Sequence, residues 1–298
     1  MRNTQKSVRN RVRLTHDALF NLHELEMDSN FVHRIVTHPD LSVIMYAPKI
    51  LGLFRDLFIS RADYPLQTLS YDTTFCLGDF YLSPLLFRHT NFSPAPIIPL
   101  AYLLHERKTM ETHAEFFRHM RSVCPQLAGC QNVIIVTDQE RAITTAIHDI
   151  CPELKHVLCW NHVLQDCKRW LQQHGASSQA EVAYYVDSVS QPFAQFFRSS
   201  IHPVMNQLGA WVLRPLGLEK VTSNQSEFFN TVLKRLQDWK EAPLDSMALC
   251  LLRLAQYHLT EVRRGLYGIG EFQLRPGITM PQWAADIIRA LSPYYCNL

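Results

Sequence analysis

The sequence predicts an α/β fold built on a mixed sheet, and three features carry that reading. Two extended runs rich in Leu and aromatic residues, 68–75 and 80–87, flank Gly78-Asp79, which reads as a hairpin turn. A short, wholly apolar strand over 132–137 has the composition of a strand covered on both faces. Segments with helical period stand on either side of it, 111–123 and 140–150, as crossovers between parallel strands do. Hairpin strands first and crossover helices later make the sheet mixed.

Taken in chain order, residues 14–60 carry helix-like apolar spacing, for example Leu51, Phe54, Leu57 and Phe58, with breaks at Pro39 and Pro48. The character changes at Pro65. After the hairpin, 97–104 reads as a third strand, and Pro94, Pro96 and Pro99 predict that it lies near an edge. A further short strand is predicted at 156–159, which completes the order β-β-β-α-β-α-β. Residues 160–222 read as helical, broken at 175–178 and around Pro215 and Gly217. The segment 226–239 is an amphipathic helix, with Phe229, Val232, Leu233 and Leu236 on one side and Asn224, Glu227, Asn230 and Lys234 on the other. One more helix is predicted at 246–264. The chain thus divides into a basic arm and helical segment (1–65), a core (66–165), a helical insertion (166–222), a completing helix region (223–265) and a tail (266–298).

Composition excludes several classes. A chain of 298 residues, 47% hydrophobic and 19% charged, has ample material for a core, so wholesale disorder is ruled out. No G-x-x-x-x-G-K-[ST] run is present, and Gly265, Gly268 and Gly270 have the wrong spacing for a dinucleotide fingerprint. No apolar run reaches the roughly 18 residues of a membrane span, and no signal-peptide core follows the basic start. Eight irregularly spaced Cys suit a reducing, intracellular compartment with free or metal-bound thiols. The net charge of +2 gives no argument for nucleic acid by itself. Arg2, Lys6, Arg9, Arg11 and Arg13 nevertheless cluster without an acid, as a solvated terminus or a DNA-tracking arm would.

Three acids stand where such an architecture places a site. Asp72 lies on the first strand, where Asp is uncommon. Asp138 ends the apolar strand, and ligands of open α/β sheets gather at the C-terminal ends of strands. Glu227 is in the first turn of a helix. Structural readings exist for two of them: Thr137-x-x-Glu140 is a capping-box pattern around Asp138, and Glu227 can serve the helix dipole behind an Asn224 cap. Together the three carboxylates suit two-metal phosphoryl transfer, in which hard Mg²⁺ or Mn²⁺ ions about 3.5–4 Å apart take oxygen ligands. A second constellation is Cys159-x-x-His162, which supplies two of the four ligands of a structural zinc, with His156, Cys167, Cys151 or His148 as candidates to complete it. A packed Cys and hydrogen-bonded His without metal is the other reading. H-E-x-x-H and G-x-S-x-G are absent.

The runs Tyr71-Asp-Thr-Thr-Phe75, Val136-Thr-Asp-Gln-Glu-Arg-Ala-Ile143, Cys159-Trp-Asn-His162 and Asn224-Gln-Ser-Glu-Phe-Phe-Asn230 occur in one order. In that order the chain, over about residues 65–245, resembles the catalytic core of Mutator-like element (MULE) transposases. The resemblance implies an RNase H-like five-stranded sheet of order 3-2-1-4-5, flanked by helices, with a helical insertion before the last catalytic helix. It implies a DDE triad of Asp72, Asp138 and Glu227 holding two Mg²⁺ or Mn²⁺ ions, supported by Thr73, Asn224 and Asn230. Its substrate is double-stranded DNA, cleaved and joined in the nucleus. Lys168, Arg169, Lys234 and Arg235, with the basic arm, are then expected on phosphates and not on base edges. A homo-oligomer is a further expectation.

Members of that family usually add an amino-terminal zinc-finger domain and often a zinc-binding SWIM module. Here Cys76 is the only Cys before residue 124, and only Cys296 follows Cys250. The expectation is a core without those readers, served by a separate DNA-targeting protein. A domesticated module that binds DNA or protein without catalysis is the alternative. A DEDD-type exonuclease ranks behind both, because its first strand resembles D-x-E and this chain has Asp72-Thr73-Thr74.

Overall fold

The computed structural model describes residues 17–59, 66–73, 80–127, 132–173, 191–208, 224–236 and 242–278. The basic residues Arg2, Lys6, Arg9, Arg11 and Arg13, the Gly78-Asp79 turn and both predicted breaks in the insertion lie outside the described residues.

Helix α1 (Ala18–Ser29) starts where the Asp17 carboxylate accepts the amides of Leu19 and Phe20, and it ends at Asn30 in the left-handed region. Strands β1 (Val32–Val36) and β2 (Ser42–Met45) and helix α2 (Pro48–Ile59) follow. Then come β3 (Gln67–Tyr71), β4 (Tyr81–Arg88), the short β5 (Phe92–Ser93) and β6 (Ile97–His105). Helix α3 (Met110–Val123), capped by the Thr109 hydroxyl, leads to β7 (Val133–Thr137), α4 (Arg141–Ile150) and β8 (Lys155–Leu158). The remaining elements are α5 (Trp160–Gln173), α6 (Gln191–Phe196), α7 (Met205–Leu208), α8 (Asn224–Leu236), α9 (Leu244–Leu266) and β9 (Gln273–Leu274), which pairs with β5.

The main sheet runs β1-β2-β6-β4-β3-β7-β8. Its last five members reproduce the expected 3-2-1-4-5 order, with β3 parallel to β7 and β7 parallel to β8. The five-stranded expectation is corrected to seven strands, because the N-terminal segment is not wholly helical. Ser42–Met45 is buried at every position and pairs antiparallel with β6, and β1 pairs with β2. This interior run has no alternation to distinguish it from a helical segment.

The placement of β6 near an edge is also corrected. It lies between β4 and β2, buried at all but its first residue. Two local features make room for Pro99. The β4–β6 register slips between Leu85 and Leu86, opposite Ala101 and Pro99, and β2 pairs only with 102–105, so no amide is required of Pro99 on that side.

The two faces of β3 are covered differently. Tyr71 stacks on Phe116 at 5.4 Å and meets Phe117 edge-on at 4.9 Å, both on α3. Ser70, on the opposite face by strand alternation, meets Ser226 of α8. Phe229 of the same helix packs near Tyr102 of β6. Leu233 is buried as the amphipathic pattern requires, Val232 is half-buried, and the Leu236 side chain lies outside the described residues. The described part of the insertion makes its own small core, where Leu158, Val163, Cys167, Leu171 and Ile201 pack and Trp170 stacks on Phe196 at 4.9 Å. Among the described residues no helix is long and apolar enough to cross a membrane.

Candidate functional site

The parallel ladder between β3 and β7 pairs Ser70 with Val136. Continued by two residues, the same register sets Asp72 opposite Asp138, each just past the C-terminal end of its strand. Neighbouring strands lie about 4.7–4.9 Å apart, so the two carboxylates are neighbours by construction. On the other side, β8 pairs Leu158 with Thr137, which brings Cys159 beside Asp138.

The electrostatics agree with that register. Asp72 is only 8% exposed. Burial, and then the charge of Asp138, push its carboxyl up to about 6 from an ordinary 3.8, against opposing contributions from His162, the Thr73 amide and Lys108. A buried acid beside a half-buried one is repelled by its neighbour's charge, and a bound cation would relieve that repulsion.

The capping-box reading of this turn does not hold. The Thr137 hydroxyl bonds the Asp138 carbonyl and lies 2.8 Å from His156 Nε2, while Asp138 Oδ1 accepts the Glu140 amide at 3.0 Å. Glu140 itself precedes α4 without a side-chain capping bond. Burial raises the Glu140 carboxyl, Lys108 opposes that, and Asp138 adds to it.

His162 comes back over the acids from the first turn of α5. Its hydrogen bond with the Cys159 sulfur outweighs burial, and the charges of Cys159, Asp72 and Asp138 add to it, so the imidazole is pushed up to about 9. Cys159 and His162 are therefore partners of one another. Among the described residues no set of three or more His, Cys, Asp or Glu is placed to hold a metal ion, and His156 is engaged with Thr137. Cys151, Cys159 and Cys167 form no disulfide.

Helix α8 is fixed next to the pair. Ser226 is fully buried and its hydroxyl lies 2.6 Å from that of Ser70, two residues before Asp72 on the same face. Glu227 is in the first turn, and its side chain is exposed. The charges acting on Asp72 are those of Asp138, His162 and Lys108. The Asn224 side chain lies outside the described residues. Asn230 Oδ1 is buried without a hydrogen-bond partner. Thr73 is buried and bonded to Ser83 at 2.8 Å.

The expected phosphate contacts are spread out. Lys168 and Arg169 are exposed on α5, with Arg169 paired to Asp166 at 3.2 Å. Lys234 and Arg235 occupy the last turn of α8. Beside Asp138 a cleft of about 420 Å³ opens between α4 and the insertion, lined by Gln139, Thr145, His148, Leu158 and Gln207 among others.

Sequence reasoning missed Lys108 and Glu140 as neighbours of the site, and of its two readings of Cys159 and His162 the hydrogen bond between them is what the structure describes. The strand order held the missing signal. In a 3-2-1-4-5 sheet, strand 3 runs parallel to strand 1, so the loop that leaves it opens at the same end as Asp72.

Asp72, buried, and Asp138, half-buried beside it, fit a hard divalent cation on the chemistry of their oxygen donors. Glu227 is exposed, and among the described residues no group of three or more ligating side chains is placed to hold a metal ion. No curated protein matches this chain. Residues 68–166, from β3 into α5 and including both aspartates, Lys108, Cys159 and His162, match the family model of the MULE transposase domain, so over that stretch the chain is similar to that family.

Proposed function

We propose that this chain is a DDE-type transposase core that cleaves double-stranded DNA and transfers its strands by metal-dependent phosphoryl transfer. The observation that carries the reading is the register that sets Asp72 opposite Asp138, with Asp72 held near 6 by burial and by its neighbour. Mg²⁺ or Mn²⁺ bound there would supply Lewis acidity to the scissile phosphate and to the attacking oxygen. Asp72 and Asp138 would hold it, the Thr73 amide orients the Asp72 carboxylate, and His162 balances charge beside both acids. Glu227 is the third acid of this reading, delivered by a helix whose Ser226 is already seated on Ser70.

A second reading, a DNA- or protein-binding module without catalysis, is favoured by one observation: Glu227 is exposed, and among the described residues no group of three or more ligating side chains is placed to hold a metal ion. Nicking of supercoiled plasmid in Mn²⁺ separates the two. On the catalytic reading the wild type nicks, while Asp72→Asn and Asp138→Asn leave only a small residual rate. Undiminished nicking by Glu227→Gln would remove that residue from the site. A wild-type protein that binds DNA and never nicks it would establish the second reading.

A further inference from the structure

Strand β6 runs parallel to β3 through their common antiparallel neighbour β4, so its C-terminal end opens beside Asp72. The loop leaving it carries Lys108, whose side chain is 25% exposed. Its ammonium sits 5.0 Å from the centre of the Tyr81 ring and 3.4 Å from Glu140 Oε2. The second distance is longer than the roughly 2.7–2.9 Å of a tight charge-assisted bond, so Glu140 holds the lysine loosely.

The loop is tied to the acid pair by a buried chain of hydrogen bonds. His105 Nδ1 lies 2.8 Å from the Arg107 carbonyl, which can only accept, so Nδ1 carries the proton. The neutral ring then accepts at Nε2 from the Ser83 hydroxyl at 2.8 Å, and Ser83 in turn accepts from Thr73 at 2.8 Å. The Thr73 amide bonds Asp72. His105 and Ser83 are fully buried, so the chain has no water to slacken it. The backbone before Lys108 and the backbone after Asp72 are thereby held in one fixed relation.

We propose that Lys108 is a phosphate-binding residue of the site and takes a backbone phosphate of DNA beside the acid pair. The proposal rests on the DNA reading above but not on catalysis. A phosphodiester approaching Asp72 and Asp138 meets like charge, and the side-chain cations that act on Asp72 are His162 and Lys108. A lysine serves a phosphate as a point charge without reading sequence. Glu140 is the internal competitor, occupying the ammonium until a phosphate displaces it.

The test is duplex-DNA binding by fluorescence anisotropy between 50 and 200 mM KCl, on wild type, Lys108→Gln, Lys108→Arg, Glu140→Gln and Lys155→Met, with folding checked by thermal melts. One phosphate contact contributes about 0.9 to the slope of log K against log salt. Lys108→Gln should lower the slope by that amount, so its affinity falls about threefold less than wild type across the range. Lys108→Arg should keep the slope. Lys155→Met, at the opposite end of β8, should leave it unchanged. Glu140→Gln should bind more tightly than wild type, whereas a merely structural ion pair would make both partners' variants bind equally well or worse. An unchanged slope in a folded Lys108→Gln protein, or weaker binding by Glu140→Gln, would overturn the proposal. If Lys108→Gln does not fold, the Glu140→Gln result decides alone. A wild type that binds but never nicks refutes catalysis and leaves these slopes decisive, and one that does not bind DNA refutes the proposal.

Discussion

Replacing Asp72 by Asn should stabilise the metal-free protein at neutral pH while abolishing any nicking. Asp72 titrates near 6 in the folded chain against 3.8 ordinarily, because burial and Asp138 penalise its charge. The folded state therefore holds a proton that the unfolded state has released, and stability falls as pH rises from about 4 through 6. At 1.36 kcal/mol per pH unit, the cost is about 0.6 kcal/mol at pH 4, about 1.6 at pH 5 and about 3 at pH 7.5, where it levels off. An amide carries no such cost, although it loses part of the bond from the Thr73 amide, so the gain at pH 7.5 should lie between about 1 and 3 kcal/mol. For a chain of this size that is roughly 2–10 °C in melting temperature. The assay is a set of thermal melts in EDTA at pH 4, 5, 6 and 7.5 on both proteins. The advantage of Asp72→Asn should grow with pH and flatten above 6. A difference that is constant across the series, or a variant less stable than wild type at pH 7.5, would refute the argument that burial and Asp138 penalise the Asp72 charge.

His162 gives a second limb. Its folded value is raised to about 9 from 6.5, so its stabilisation is fully present below 6.5 and is lost as pH rises through 9, and His162→Gln melts should lack that decline. Gly265→Ala should cost about 1–3 kcal/mol in urea unfolding, because a Cβ there would stand 2.8 Å from the Phe272 carbonyl and 3.0 Å from the Phe92 ring.

Much of the core was legible because its elements obey simple periods. The apolar 132–137 run and the two crossover helices followed from pattern, while the strand order, and with it the expectation that Asp72 and Asp138 share one end of the sheet, came from the family resemblance. Patterns failed where burial is complete or local chemistry competes. The interior strand at 42–45 has no polar face to betray it, and Pro99 reads as an edge signal because a register slip is invisible in a single chain. Thr137 and Glu140 matched a capping box, yet His156 and the Asp138 carbonyl took the hydroxyl and Lys108 took the carboxylate. Lys108 was overlooked because nothing nearby in sequence marks it. Only the parallel course of β6 and β3 brings it to the acids.

The sheet's two outermost strands are guarded by different means. At one end, β1 is short, shifts register between Val32 and Arg34, and presents His33 and Arg34, all features that discourage another strand from adding on. At the other end, β8 is shorter still and opens on Lys155 and His156, but its second half is apolar: Val157 and Leu158 are buried, and Leu158 packs into a cluster with Val163 and with Ile201 of the insertion. The insertion therefore covers the apolar half of that border. Trimming 166–222 to obtain a minimal catalytic unit would uncover that border, and such a shortened chain should self-associate through strand addition long before its chemistry can be measured.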